Sequence, residues 1–337
     1  MKRSVRVAIR LGVSAAIIAV LVWQIDVART VDLVLSSHVG YLAAALAIYV
    51  ATTWAMAWRW QLLLASKGIH EPIGWLTKLY FVGYAAGQVL PTSLGGDAVR
   101  IVEHGRRRPD KRAEVAGAVL MERVLGAAGT LLLVAVGLAV AAGRYDDIGV
   151  FVWMEVVSVA AVAILAVLLF SRRTRRLLEE RVFPLGRRLR IERVVSSLHQ
   201  ALHGYRDKPG TIALVLAVTI STQLVRIMTI WLCGKAVGET PSPLAYIVVG
   251  PLLFLVMLVP FTINGLGARE AFFLAFLPRF GVSNDAAVAI GFLFYVVTVA
   301  AAIPGGLILL WRSVRPGRDS VTAASPPGSG GGTLGPT

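Results

Sequence analysis

The strongest constraint on this chain is a series of apolar runs, each long enough to cross a lipid bilayer. The full-length runs cover residues 7–25, 39–64, 113–142, 148–170, 211–236 and 286–311. Two shorter runs, 73–90 and 244–260, each end at a proline, Pro91 or Pro260. A helical span needs about 20 residues, and in lipid only helices or closed barrels satisfy the backbone hydrogen bonds. The runs therefore predict an all-α polytopic membrane protein.

Composition excludes several functions. Charged residues make up 16% of the 337 residues, against about 25% in soluble domains. The formal net charge is +15, but the charges fall in blocks between apolar runs. This pattern is typical of loops at an anionic cytoplasmic leaflet, so we expect no nucleic-acid partner. The chain has no Gly-Lys-Ser/Thr run for nucleotides and a single cysteine, Cys233. We expect no cofactor, no metal and no enzymatic activity.

The basic blocks predict the topology through the positive-inside rule. Residues 2–10, 100–112 and 312–318 are rich in arginine and should all face the cytoplasm. The simplest arrangement that places them there has 73–108 and 244–281 dip into the bilayer and turn back, one from each face, although full crossing of these segments stays open. We therefore predict about six full spans and two oppositely entering re-entrant hairpins. The protein is expected in the cytoplasmic (inner) membrane, with both termini cytoplasmic and an uncleaved first span.

The domain organisation follows from composition. Residues 1–315 are predicted to form a single transmembrane domain. Within it, residues 171–208 hold eleven Lys/Arg against four Asp/Glu, with apolar residues at helical spacing. This segment is predicted to be an amphipathic helix on the cytoplasmic face, and a soluble linker hairpin is the alternative. Residues 316–337 are rich in Ser, Pro and Gly and are predicted to be a disordered tail.

The two proline breaks resemble each other. Counting from each proline, they share a hydroxyl at +2, a glycine at +5 and an arginine at +9, namely Ser93 and Thr262, Gly96 and Gly265, Arg100 and Arg269. An odd number of predicted full spans separates the breaks. Units 39–142 and 211–311 are therefore predicted to form an inverted internal repeat. Paired Gly/Pro-interrupted segments of this kind indicate the binding site of a transporter.

The chemistry of the breaks suits an anion. Proline ends the entering helix, glycine allows close backbone approach, and a helix starting beyond it presents free N–H groups. With the nearby arginines, these groups would hold a phosphate or carboxylate. The alternative is a pair of plain helix-ending turns with snorkelling arginines. The predicted substrate-binding residues are Arg100, Arg269, Glu122, Arg123, Ser93, Gly95, Gly96, Asp97, Thr262, Asn264, Gly265, Glu270 and Arg226.

Three of these charges lie deep within apolar runs. Glu122 and Arg123 are about ten residues into 113–142, roughly 15 Å deep, and Arg226 is past the middle of 211–236. Burying a charge at such depth costs several kcal/mol of free energy, so such residues usually have a function. We predict that Glu122 pairs with Arg100 or Arg269 while Arg123 faces the cavity. A network that only locks helices together is the alternative. The nearby aromatics are predicted to form an interfacial belt: Trp58, Trp60, Trp75, Tyr80 and Tyr84.

Three motifs carry a resemblance to a known family: the run from Leu90 to Asp97, the run Glu122-Arg123-Val124-Leu125-Gly126, and the run from Pro260 to Glu270. Over about residues 5–312 the chain resembles the lysylphosphatidylglycerol synthase transmembrane-region (flippase-like) family, as a stand-alone member without the aminoacyl-transferase domain. The resemblance implies movement of a phospholipid between leaflets, not aminoacyl transfer. Val296 follows Tyr295 where many relatives carry arginine, while Pro304-Gly305-Gly306 is kept.

The predicted function is therefore the binding and translocation of an anionic phospholipid or polyprenyl-phosphate lipid through a midplane cavity. Enzymes of lipid or glycan synthesis are possible partners, and the oligomeric state is open. One alternative is a membrane-embedded enzyme acting on a lipid phosphate, for which His104 is the only histidine near a hairpin. The other is a scaffold or regulator of a lipid or glycan synthase that docks through 171–208.

Overall fold

A computed structural model describes residues 19–89, 95–141, 204–239 without 206, 242–258, 265 and 267–314, with isolated positions between 149 and 160. The prolines of the two breaks, Pro91 and Pro260, lie outside the described residues, as do Ser93, Thr262 and Asn264. The same holds for nearly all of segment 171–208 and for the tail 316–337, so the predictions made for them stay predictions. The part of the chain that the structure describes is helical throughout and contains no strand.

The helices follow the apolar runs closely. They are α1 (Val27–Leu35), α2 (Val39–Ala65), α3 (Ile73–Val89), α4 (Gly95–Arg107), α5 (Arg112–Ala141), α6 (Pro209–Ala236), α7 (Pro243–Leu258), α8 (Ala268–Phe276) and α9 (Asn284–Val314). Single 3₁₀ turns cover Pro109–Lys111 and Leu277–Phe280. Among the described residues, four helices are long and apolar enough to cross a membrane: α2, α5, α6 and α9. These helices confirm a helical polytopic membrane protein.

Helices α2 and α6 form an antiparallel pair at the centre of the molecule. The backbone N–H of His38, before α2, donates to the carbonyl oxygen of Ala236 at the end of α6, at 2.8 Å. At the other end of the pair, the Tyr205 hydroxyl, shortly before α6, donates to the carbonyl of Leu63 in α2 at 3.1 Å. These two contacts define two ends of the molecule, the Leu63 end and the Ala236 end.

The shorter helices form two pairs, and the chain enters and leaves these pairs at opposite ends of the molecule. Glu71, just before α3, lies 3.3 Å from Nε of Arg108, just after α4. The α3–α4 pair therefore begins and ends at the Leu63 end. The hydroxyl of Ser283, beyond α8, donates to Glu239 before α7 at 3.3 Å. The α7–α8 pair therefore begins and ends at the Ala236 end.

The packing of the two pairs is reciprocal. Helix α3 packs extensively on α9, the long helix that follows the second pair, and α7 packs on α5, the long helix that follows the first. Likewise α4 packs on α5 as α8 packs on α9. Two structurally similar halves related by an internal two-fold would produce this pattern. The sequence units 39–142 and 211–311 are predicted to be two such halves.

Close backbone contacts hold α3 between its neighbours. Gly96 of α4 faces Gly83 of α3, and a Cβ on Gly96 would lie 2.5 Å from the Gly83 carbonyl oxygen. On another side of α3, Gly305 of α9 is in backbone contact with the Phe81 carbonyl group, so a Cβ there would overlap it. Glycine is required at both crossings because any side chain would push the helices apart.

Two apolar clusters fill the interior. One, at the Leu63 end, includes Trp60, Leu63 and Leu76. The other, at the Ala236 end, includes Tyr246, Phe273 and Ile290. Helices α2, α5 and α6 contribute to both clusters, and between the clusters their middle turns carry polar and charged side chains.

Candidate functional site: an arginine-rich cavity at the middle of the long helices

A cavity of about 390 Å³ lies between the two apolar clusters. Residues from the middle of four long helices line it: Tyr49 of α2, Gly126 of α5, Arg226 of α6 and Thr298 of α9. Its charged residues are five arginines and two carboxylates, namely Arg59, Arg100, Arg123, Arg226, Arg269, Asp97 and Glu122. The cavity therefore carries three more positive than negative charges.

Glu122 of α5 is the centre of a buried network. One carboxylate oxygen, Oε1, accepts hydrogen bonds from the Tyr80 hydroxyl at 2.5 Å and from Arg59 Nε and Nη2 at 3.2 and 3.1 Å. The other, Oε2, accepts from Arg100 Nη2 at 2.7 Å. Glu122 is only 4% exposed. One carboxylate thus joins α2, α3, α4 and α5, and Arg100 is one of the two partners that the sequence predicts for it.

Asp97 near the start of α4 contacts Arg100 as well and adds one further arginine, Arg123. Its Oδ1 is 3.2 Å from Arg100 Nη1, and its Oδ2 accepts from Arg123 Nε at 2.6 Å. The Arg100 guanidinium also lies over the rings of Trp60 and Tyr80, at 4.1 and 3.7 Å from their centroids. Arg100 is therefore held by two carboxylates and two rings. Glu122 and Arg123 point to different partners, as their 100° separation on a helix requires.

Arg226 of α6 has neutral partners. Its Nε donates to the Thr52 hydroxyl at 3.1 Å, and its Nη2 donates to the Tyr84 hydroxyl at 2.6 Å. Its guanidinium lies 4.3 Å from the centroid of the Tyr49 ring. No carboxylate among the described residues lies within ion-pair distance of it.

Arg269 in the first turn of α8 is even less satisfied. It is 5% exposed, and its Nε and Nη1 have no hydrogen-bond partner among the described residues. Its guanidinium lies 5.1 Å from the Phe294 ring centroid and 5.4 Å from that of Tyr295. The neighbouring Glu270 is not within ion-pair distance of it. The Glu270 Oε2 accepts the N–H of Gly267 at 2.7 Å, which caps α8, and its Oε1 has no hydrogen-bond partner among the described residues.

The sequence around this cavity matches a known family. A family model described as the lysylphosphatidylglycerol synthase TM region matches residues 7–306. The chain belongs to this family. The match contains both helix pairs and all five cavity arginines. Membership of this family indicates a membrane protein related to lipid handling. Among curated proteins, none matches the chain.

The structure brings together seven of the residues predicted for this TM-region site: Arg100, Arg269, Glu122, Arg123, Gly96, Asp97 and Arg226. Gly95, Gly265 and Glu270 are described but do not line the cavity. Gly95 begins α4, Gly265 has a positive φ of 74°, and Glu270 caps α8. Ser93, Thr262 and Asn264 are outside the described residues, so their predicted role is untested.

Sequence reasoning missed Arg59 and the tyrosines of the cavity wall. Arg59 is only 7% exposed and donates to Glu122 and, through Nη1, to the Thr219 hydroxyl at 3.1 Å. The available signal was its position six residues before the end of α2, inside the apolar run. Tyr49 and Tyr84 line the cavity beside Arg226.

The prediction of an interfacial belt is wrong for two of its aromatics. Trp60 and Tyr80 are buried and stack on Arg100, because the α3–α4 pair brings that cation into the protein interior. Tyr84 is on the cavity wall. Half-buried Trp58 stacks on the exposed Trp54, at 6.5 Å between ring centroids, which suits the belt.

His104 is placed away from the cavity. It is fully buried between Trp60 and Trp75, with ring centroids at 5.5 and 4.9 Å, and its Nε2 is 3.6 Å from Glu71. It therefore helps close the base of the α3–α4 pair. Within the described ranges, no three His, Cys, Asp or Glu side chains cluster as metal ligands would.

Proposed function

We propose that this protein binds the anionic headgroup of a lipid in the arginine-rich cavity and carries it between the leaflets. The observation that carries the proposal is the pair of buried arginines, Arg226 and Arg269, that lack an acidic partner among the described residues. An uncompensated buried charge costs several kcal/mol. A phosphate would remove that cost, because guanidinium groups bind it with strong, bidentate hydrogen bonds.

The proposal includes a topology. The α3–α4 and α7–α8 pairs act as re-entrant hairpins that enter from opposite faces, beside about six full spans. In this topology the protein lies in the inner membrane, and its Leu63 end faces the cytoplasm. Support comes from the positive-inside rule, since that end gathers Lys67, Arg107, Arg108, Lys111, Lys208 and Arg312. The Ala236 end instead carries acids such as Asp26, Glu239 and Asp285.

The reciprocal packing supports a transport mechanism. Two inverted halves can exchange conformations, so that a site between them opens first to one side and then to the other. The cavity lies at the middle of the long helices, where such exchange would move it least. The headgroup would cross through the cavity while the acyl or prenyl tails remain in lipid. We propose no chemical change to the lipid.

The test is the exchange of a fluorescent anionic phospholipid between the leaflets of liposomes that contain the purified full chain. We expect wild-type protein to accelerate exchange. We expect Arg269→Gln to slow it by about tenfold or more, because that factor corresponds to the free energy of one charged hydrogen bond. Because no carboxylate lies within ion-pair distance of Arg269 among the described residues, its replacement breaks no described ion pair. The variant should therefore unfold close to the wild-type temperature, which separates transport from stability.

Arg29→Gln is the matched control. The Arg29 side chain is 65% exposed at the Ala236 end and lies 3.6 Å from Asp285, so transport should be unchanged. Wild-type protein that accelerates exchange of no anionic lipid, or full activity in Arg269→Gln, would overturn the proposal. Mass spectrometry of the recovered lipid should find it unaltered, and a modified product would favour an enzyme.

A further inference from the structure

Every carboxylate oxygen of the cavity lining already accepts from an arginine. Both oxygens of Glu122 accept from arginines, and one also accepts from Tyr80. Both oxygens of Asp97 are likewise paired, with Arg100 and Arg123. Among the described residues that line the cavity, five are arginines and no carboxylate oxygen is left unpaired. The acid with an unpaired oxygen, Glu270 Oε1, belongs to a residue outside the lining. The lining therefore favours an anionic headgroup.

The two arginines without an acidic partner among the described residues lie against neighbouring aromatic rings of the cavity. Arg226 lies over the Tyr49 ring at 4.3 Å, and Arg269 lies 5.1 Å from the Phe294 ring. The Tyr49 and Phe294 rings are themselves in edge contact, with centroids 6.4 Å apart. Both arginines also line the same cavity. A headgroup at this wall would therefore face two cations that have no carboxylate within ion-pair distance among the described residues.

We infer that the headgroup carries at least two negative charges, as a lipid phosphomonoester or diphosphate does. This inference rests on the proposed function and names its substrate class. A phosphodiester brings one negative charge and leaves one of the two arginines uncompensated. A phosphomonoester carries about −1.5 to −2 at neutral pH and presents three strong acceptor oxygens. A zwitterionic headgroup such as phosphocholine brings no net negative charge to the two arginines.

The inference is tested by calorimetric binding of short-chain lipids to the full chain in detergent. Dihexanoyl phosphatidic acid is expected to bind about tenfold or more tightly than dihexanoyl phosphatidylglycerol, which has the same chains and one charge less. Dihexanoyl phosphatidylcholine should bind weakest. Farnesyl phosphate and farnesyl diphosphate are measured in the same way as prenyl lipids. Tighter binding of either the diacyl or the prenyl phosphates identifies which lipid class supplies the phosphate group.

The arginine variants make the test specific. Arg226→Gln and Arg269→Gln should each reduce the preference for phosphatidic acid over phosphatidylglycerol to about twofold or less, while Arg29→Gln keeps the wild-type ratio. Equal affinity for the two lipids in wild-type protein, or a preference unchanged in both variants, overturns the inference.

The liposome assay separates this inference from the translocation proposal. Equal exchange rates for labelled phosphatidic acid and phosphatidylglycerol would overturn the inference and leave translocation standing. A clear binding preference for the phosphomonoester, without exchange of any lipid, would overturn translocation and leave the inference standing.

Discussion

Replacing Glu122 with glutamine is expected to lower the thermal unfolding midpoint of the protein in detergent by about 10 °C. The carboxylate compensates Arg59 and Arg100, which are 7% and 5% exposed, and it accepts the Tyr80 hydroxyl. Removing one partner of a buried ion pair costs about 3–5 kcal/mol, because the remaining charges stay buried without compensation. Each kcal/mol shifts the midpoint by roughly 2–4 °C in a protein of this size.

Glu114→Gln is the control on the same helix. Its side chain is 30% exposed, and its partner, Lys111, is 3.6 Å away. An exposed pair of this kind contributes about 0–1 kcal/mol, so the midpoint should fall by no more than a few degrees. Intrinsic tryptophan fluorescence measures both, and Trp60 reports directly because it stacks on Arg100. Equal midpoints for the two variants would show that the Glu122 network does not hold the four helices together.

Much of the fold could be predicted because a chain that crosses lipid must form helices whose lengths follow from its apolar runs. The predicted runs 39–64 and 211–236 differ from α2 (Val39–Ala65) and α6 (Pro209–Ala236) by at most two residues at either end. Each helix is apolar around its circumference, so its length follows from hydropathy alone. The runs 7–25 and 148–170 lie largely outside the described residues, and their predicted spans remain untested.

The partners within the site could be predicted less well. The sequence indicated that Arg100 and Arg269 act as one pair, since both are nine residues beyond a proline. In the structure, Arg100 is paired with Glu122 and Asp97, and Arg269 lacks such partners among the described residues. The difference arises from contacts between distant segments, such as Arg59 and Glu122, which are 63 residues apart. Spacing along one helix carries no information on which helix packs beside it.

The departure at Val296 has a simple structural reading. Val296 is 42% exposed and does not line the cavity, whereas the preceding Tyr295 ring faces Arg269. A residue at position 296 points away from the charge network on α9, because adjacent helical residues diverge by about 100°. The absence of an arginine there leaves the described network intact, so this departure does not weaken the candidate site.

Gly305→Ala is expected to disrupt the crossing of α9 and α3, with a loss of about 1–3 kcal/mol of stability. Gly305 is buried, and the carbonyl group of Phe81 occupies the space that an alanine Cβ would need. The obstacle is backbone, so no side-chain rotation can relieve the overlap. The helices must separate, and the crossing joins the predicted repeat units 39–142 and 211–311. Packing rather than ligand binding therefore accounts for the glycine at position 305.

Gly306→Ala isolates the packing effect, because it is the neighbouring residue and a Cβ there would meet nothing within 4 Å. Both substitutions remove one glycine from the same helix, so any gain in helix propensity is shared. We expect Gly306→Ala to leave the unfolding midpoint unchanged or slightly raised, and Gly305→Ala to lower it by several degrees. Since α3 also contacts α4 through Gly83 and Gly96, displacement of α3 should carry Tyr80 away from Glu122 and slow lipid exchange as well. Wild-type stability and exchange in Gly305→Ala would show that α3 and α9 do not need to touch, and that the two halves are held together elsewhere.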